Sequence, residues 1–455
     1  TLVAHPGLVW APPTCCGIIG PRSIAVLCHH QRGVSALKNL EQFYAHLLKV
    51  KRPWLVTEVR FQEAEERVDI YVEHERGIKL RCPRCDAWCP VYDHSPEREW
   101  RHLDTCDVPT YVHTRLPRVK CQEHGVISIA SEWAELGSDL TLAMEAHIID
   151  LEKECSIQAV SRLTGLSWDR CWGVMDRSVR RGQRRKAWKV PTYIGVDEKS
   201  FAKRHQYMTL VCDLETGTVE YVADDRRQES LEGYFLPFDE DELEAIEAIC
   251  MDMHDPYIAA VRECVPNGTD KIVFDKFHVL RLINEAVDKV RRREHKKLRI
   301  EHNEVLKGTK YLWLYNPDNI PEHWLPRFEE LRHMDLKVSR AWAIKETLRQ
   351  LWNYRREGWA RRFFQRWYFW ATHSRLPPVI EVARTLKRRL DNVLTYLRHR
   401  ITNALNESLN SQVEKVKRMA SGYRNRTHFH TAIYFHCGGL DLYPRLSTTS
   451  GGYPQ

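Results

Sequence analysis

No stretch of about 18 apolar residues occurs anywhere in this chain of 455 residues, and without one no helix spans a membrane. Low-complexity tracts and internal repeats are also missing, which excludes solenoids, collagen-like rods and long disordered linkers. The chain opens without an initiating Met and without a signal-peptide layout. Residues 1–36, with Pro12-Pro-Thr-Cys-Cys16 and Cys28-His-His30, lack periodicity and are read as a disordered or mis-called extension. A large excess of one charge is absent too, since 69 Lys and Arg against 61 Asp and Glu leave a formal charge of +8. The basic residues nevertheless cluster. Val179-Arg-Arg-Gly-Gln-Arg-Arg-Lys186 and Val290-Arg-Arg-Arg-Glu-His-Lys-Lys297 are dense enough to neutralise phosphates.

Cysteine, by contrast, is plentiful at fourteen. Most cysteines stand singly in apolar runs, as Cys212, Cys250 and Cys264 do, which is the habit of reduced, buried thiols. A cytoplasmic protein is expected. Two motifs depart from that habit, Cys82-Pro-Arg-Cys85 and Cys121-Gln-Glu-His124. Two such knuckles about 35 residues apart, each on a turn closing a hairpin, place four soft ligands around one zinc. A closed set of four leaves no position for water, so the expected Zn²⁺ is structural. Cys89, Cys106, His94 and His102 are further ligand candidates, which leaves the identity of the four open.

Along the chain, an amphipathic helix over Leu37–Lys49 precedes a hairpin of Trp54–Phe61 and Arg67–Glu73. Residues 140–180 carry helical periodicity. Within them Val160, Leu166, Cys171 and Val174 surround the turn residue Gly165 with helix-turn-helix spacing. The second helix, Ser167–Arg177, is expected to present Trp168, Asp169 and Arg170 to DNA. The basic run that follows is expected to grip phosphates through Arg180, Arg181, Arg184, Arg185 and Lys186.

From Pro191 the pattern becomes strand-rich. Strands Tyr193–Asp197, Tyr207–Asp213 and Thr218–Ala223 precede an αβαβ succession containing strands Ile249–Asp252 and Lys271–Asp275. This is the element order of a ribonuclease H-like fold, which sets Asp197 and Asp252 side by side on adjacent parallel strands. Residues 290–400 read as helical and hold seven of the fifteen tryptophans, expected to be mostly core. On a late helix Asn403, Glu407, Asn410 and Glu414 share one face. Asp197, Asp252 and Glu407 thus form a carboxylate set suited to two hard divalent cations and to phosphoryl transfer on a nucleic acid.

These residues resemble the ISL-three group of bacterial insertion-sequence transposases. The matching motifs are Gly195-Val-Asp197-Glu-Lys-Ser200, Met251-Asp252-Met-His-Asp-Pro-Tyr257, Phe274-Asp275-Lys-Phe-His278-Val279, Thr402-Asn403 through Glu407-Ser-Leu-Asn410, and Lys415-Val-Lys-Arg418-Met-Ala-Ser-Gly422-Tyr-Arg-Asn425. The resemblance runs from about Leu37 to Pro444 and includes the knuckles and the helix-turn-helix. It implies a DDE triad of Asp197, Asp252 and Glu407 binding two Mg²⁺ or Mn²⁺, with Asp275, His278, Asn403 and Asn410 in support. It further implies terminal inverted repeats and target DNA as partners, and a homo-oligomer assembled on DNA near the bacterial nucleoid. Departures from the group's pattern are His124 where Cys is commoner, and Ala404 and Ser408 where glycines are usual.

The expected architecture is a multidomain α/β protein. Residues 37–128 form a zinc-knuckle β domain and 129–189 a helix-turn-helix domain. An RNase H-like catalytic core over 190–289 and 399–444 is interrupted by an all-α insertion over 290–398, and 445–455 form a tail. Two other readings compete: a zinc and helix-turn-helix transcriptional regulator with incidental acids, and an RNase H-like nuclease that cuts without strand transfer.

Overall fold

The structure, a computed structural model, describes residues 39–202, 206–401 and 404–445. The reading of residues 1–36 and the role expected of Asn403 therefore lie outside the described residues, as does the tail from 446. No described helix is long and apolar enough to cross a membrane.

The first element is the helix Leu40–Leu47, whose first turn is closed by the Asn39 side chain accepting from the Gln42 amide at 3.0 Å. The expected hairpin follows as antiparallel strands Trp54–Gln62 and Arg67–His74. It belongs to a four-stranded sheet completed by Val108–Thr114 and Arg98–Thr105. Trp133 packs edge-on against Trp54 and Trp100 at 5.1 and 5.8 Å to fill its core. A second, smaller sheet pairs Lys79–Arg81, Trp88–His94, Pro117–Cys121 and Gly125–Ser128 in that order, and the two knuckles lie on its turns.

Three helices then follow, Leu142–Glu154, Ile157–Thr164 and Trp168–Arg185, each begun by a hydroxyl cap from Thr141, Ser156 or Ser167. Gly165, at φ 68°, supplies the left-handed turn between the last two. Val160, Leu166, Cys171 and Val174 are all buried, as their spacing predicts. The final helix is longer than the expected Ser167–Arg177 and absorbs the basic run up to Arg185. Its outer half meets the C-terminal segment at Gly182, where an added Cβ would lie 2.6 Å from the Leu440 Cβ.

The central sheet has five strands in the order third, second, first, fourth, fifth: Thr218–Ala223, Gln206–Asp213, Tyr193–Ala202, Ala248–Met251 and Ile272–Phe274. The first three form an antiparallel meander, and the last two run parallel to the first. Apolar residues on both faces, with Ile194, Val196, Ile249, Met251 and Phe274 on one and Met208, Leu210 and Cys212 on the other, explain why these strands sit inside the molecule.

Between Lys276 and His399 every regular element is helical. The expected boundary at 289/290 falls inside a helix. One 25-residue helix, Lys276–Ile300, carries the chain from the sheet into the helical stretch without a break. Its residues Val279, Ile283 and Val290 share one hydrophobic core with the sheet and with Trp313, Phe328 and Trp367, so the helices enlarge the core of the sheet. Of the seven tryptophans, Trp313, Trp342, Trp352 and Trp367 are buried, while Trp324, Trp359 and Trp370 stand exposed.

Candidate active site and DNA-reading helix

The pairing of the first and fourth strands of the central sheet fixes its acids. Tyr193, Ile194 and Gly195 face Ala248, Ile249 and Cys250, a constant offset of 55 positions. Asp197 and Asp252 are separated by the same offset and therefore sit abreast where the fourth strand ends. The fifth strand ends one residue before Asp275, which caps the Lys276–Ile300 helix by accepting from the His278 amide at 3.2 Å.

His278 Nδ1 stands 2.6 Å from Asp252 Oδ1 and 2.9 Å from Asp275 Oδ2. Hydrogen bonding to Asp252 and then to Asp275 pushes the imidazole up to about 10, so it carries a charge between two carboxylates. Burial raises the Asp197 carboxyl to about 6, an effect moderated by the Glu198 amide at 2.7 Å and reinforced by Asp252.

The third contribution comes from the helix Ala404–Met419. Asn410 Nδ2 donates to Asp197 Oδ2 at 2.6 Å, and Lys199 Nζ meets the Asn410 carbonyl at 3.0 Å and Glu414 at 3.3 Å. Asn410 and Glu414 therefore face the first strand, and Glu407, one turn earlier on the same side, has an exposed side chain. Its carboxylate makes no hydrogen bond or ion pair with a described residue. On the opposite side Leu409 and Val413 are buried, whereas Leu405 in the first turn is exposed. Asn410 Oδ1 is buried without a partner. That orphaned oxygen beside two carboxylates is a hard-oxygen donor set that fits a divalent cation.

In the small sheet, Cys82, Cys85, Cys121 and His124 bring their ligand atoms within 4.8 Å of one another. Cys85 Sγ lies 3.5 Å from Cys121 Sγ, and His124 Nδ1 lies 3.6 and 4.0 Å from the sulfurs of Cys121 and Cys82. Tetrahedral ligands about 2.3 Å from a zinc stand at comparable separations. His124 draws the Cys121 thiol down to about 6. Of the other candidates, His94 pairs with His74 at 2.7 Å and His102 with Thr141 at 2.9 Å, Cys89 lies beside Cys121 but bonds the Ala87 carbonyl, and Cys106 is exposed.

The expected DNA contacts divide into three groups. At the start of the Trp168–Arg185 helix, Trp168 is 38% exposed and stacks on Trp172, which in turn meets His428 at 4.1 Å, while Arg170 pairs with Asp139 at 2.8 Å. Farther along, Arg180 and Arg184 are exposed. Arg181 is not a phosphate contact. It is buried, bound to Glu135 at 2.7 Å and Glu145 at 2.9 Å, because those acids need an internal cation. Arg185 donates to the Tyr443 carbonyl at 2.7 Å and Lys186 pairs with Glu220 at 2.7 Å, so both clamp the C-terminal segment or the central sheet. Their neighbour-to-neighbour spacing in sequence gave no sign of this.

A family model described as transposase, that of the ISL3 DDE group, matches residues 194–433. The chain belongs to this transposase family. The zinc finger of the transposases of IS204, IS1001, IS1096 and IS1165 matches residues 79–124, and the helix-turn-helix domain of transposase family ISL3 matches residues 130–179. The transposase for insertion sequence element IS1557 of Mycobacterium tuberculosis is 26% identical over 424 residues, covering 86% of this chain and 93% of that protein. The transposase for insertion sequence element IS1001 of Bordetella parapertussis is 26% identical over 370 residues, covering 80% and 90%. The protein is a DNA transposase with a zinc ribbon and a helix-turn-helix that binds DNA, and its family carries DDE catalysis dependent on divalent metal.

Proposed function

We propose that this transposase binds the terminal inverted repeats of its element, cuts at their ends and joins the freed 3′-hydroxyl to target DNA. The observation that carries this reading is the constant strand offset that sets Asp197 beside Asp252, with Asn410 of the Glu407 helix bonded to Asp197. In this reading Asp197, Asp252 and Glu407 hold two Mg²⁺ or Mn²⁺ ions. When bound, such ions supply Lewis-acid activation of a water or 3′-hydroxyl and charge stabilisation of the leaving oxygen. Asn410 orients Asp197. The His278 imidazolium fixes Asp252 and Asp275 and offsets their repulsion, and Asn403 belongs to the same supporting set. A turn of helix separates Glu407 from Asn410, so Glu407 closes onto the acids by a modest shift of its side chain or of that turn.

The core is RNase H-like in this account, supported by the strand order and the parallel placement of the acids, and the helices to about 398 are an insertion within it. Residues 37–128 hold one structural Zn²⁺ and 129–189 read DNA, with Trp168 and Arg170 toward base edges and Arg180 and Arg184 on phosphates. Two ends must be handled together, so the enzyme acts as a homo-oligomer on DNA.

A labelled terminal-repeat duplex incubated with protein, Mg²⁺ and a target plasmid tests the reading. Joined product is expected. A nuclease would leave cut ends without joining, and a regulator would bind without cutting.

A further inference from the structure

One face of the helix Glu357–Thr372 is explained by none of the sites above. Trp359, Phe369 and Trp370 are 55%, 64% and 38% exposed, whereas Phe364 and Trp367 of the same helix are buried. With Arg362 and Arg366 they fall at i, i+3, i+7, i+10 and i+11, a stripe about 100° wide and about 16 Å long. Arg362 lies over the Trp359 ring at 5.1 Å, and Phe369 packs on His373 at 4.0 Å. Exposed aromatics clustered on one face mark an interaction surface.

Charge selects the partner. Between Arg355 and Arg375 the only acid is Glu357, and it is taken by Arg361 at 2.8 Å and Arg398 at 2.9 Å. Arg355, Arg356, Arg362, Arg366 and Arg375 make no ion pair with a described residue. A symmetric contact with a second copy would press these arginines against each other, which is unfavourable. A polyanion satisfies them. Arginines alone would serve an intact duplex, whose bases are stacked on one another and offer no ring face at its surface. Aromatics between arginines instead suit unpaired nucleotides, with bases on the rings and phosphates on the guanidinium groups.

We propose that this face is a second DNA-binding surface, which holds unpaired DNA strand exposed when duplex ends are opened. The proposal rests on the protein's action on DNA and not on the assignment of the acids.

The test uses the full chain carrying Asp197→Asn, in buffer without divalent cations, so that changes at the catalytic centre are held constant. Anisotropy titrations compare an oligothymidine strand with a blunt duplex. Trp359→Ala with Phe369→Ala is expected to weaken strand binding roughly tenfold or more, and duplex binding by less than about twofold. Trp359→Phe should retain most of the affinity. Arg362→Ala with Arg366→Ala should lower the log–log salt slope for the strand by about one to two units. All of these side chains are exposed, so thermal unfolding should be unchanged. Unaltered strand binding in the aromatic pair, or equal losses on strand and duplex, would overturn the proposal. So would sedimentation showing that the aromatic pair dissociates an oligomer of the free protein.

Discussion

Asn410 donates to Asp197 at 2.6 Å across 213 positions of chain, tying the helix that carries Glu407 to the strand that carries the first acid. The bond from the amide nitrogen sets the carboxylate's orientation and leaves the amide oxygen, Oδ1, buried and unpartnered. Asn410→Ala is therefore expected to reduce terminal-repeat cleavage about ten- to a hundredfold, the usual cost of losing a group that orients a metal ligand. DNA binding should be retained. Cleavage assays alongside binding titrations check this, and an equal loss in both would assign Asn410 to folding instead.

The zinc ribbon gives a separate expectation. Cys82→Ser or Cys121→Ser removes one of four converging ligands, and a structural zinc supplies folding energy to a small sheet. Metal analysis should find one zinc per chain in the parent and none in the variants, with protease sensitivity between residues 53 and 125. Full terminal-repeat affinity after the zinc is stripped would contradict its role.

The two neighbouring basic positions on the Trp168–Arg185 helix should behave oppositely. Arg181→Ala leaves Glu135 without its cation and removes one of the two held by buried Glu145, which keeps Arg177 at 2.6 Å, and should cost about 3 kcal/mol of stability. Arg184→Ala should leave unfolding unchanged while lowering the log–log salt slope of DNA binding by about one unit. Denaturation curves and salt-dependent titrations of the two variants separate the roles.

Glu152, buried with neither carboxyl oxygen bonded, is pushed up to about 9 by desolvation, with Glu145 adding to the shift and Arg177 opposing it. Its folded value exceeds the ordinary carboxyl value near 4.3. The unfolded carboxyl ionises first, so stability from this group is complete below about pH 4 and is lost as pH rises toward 9. Glu152→Gln should flatten that loss and raise stability at pH 8 by about 1–3 kcal/mol. Unfolding midpoints from pH 5 to 9 measure it, and parallel curves for parent and variant would refute it.

Much of this architecture was legible in local pattern. Ile194-Gly-Val and Ile249-Cys-Met are short apolar runs that each lead to an acid, so they announced buried strands with a charge at the tip. The knuckles were legible because metal ligands come in fixed close spacings. What escaped the sequence depends on partners far along the chain. Arg181 looks like its basic neighbours until Glu135 and Glu145 are folded beneath it, 46 and 36 residues away. Trp367 and Trp370 stand three apart, and only the packing of neighbouring helices decides that one is core and the other surface. The unbroken helix from Lys276 to Ile300 likewise hides a boundary that composition placed inside it.

The most direct test of the account is metal-dependent cleavage of a terminal-repeat duplex by Asp197→Asn, Asp252→Asn, Glu407→Gln and Glu414→Gln, each with DNA binding measured in parallel. The first three substitutions should lower cleavage by orders of magnitude with binding intact, because each removes a charge the metals require. Glu414→Gln, which loses only a pairing with Lys199, should cleave within about tenfold of the parent. Normal cleavage by Glu407→Gln, with activity lost in Glu414→Gln, would contradict the assignment of the third acid and with it the proposed active site.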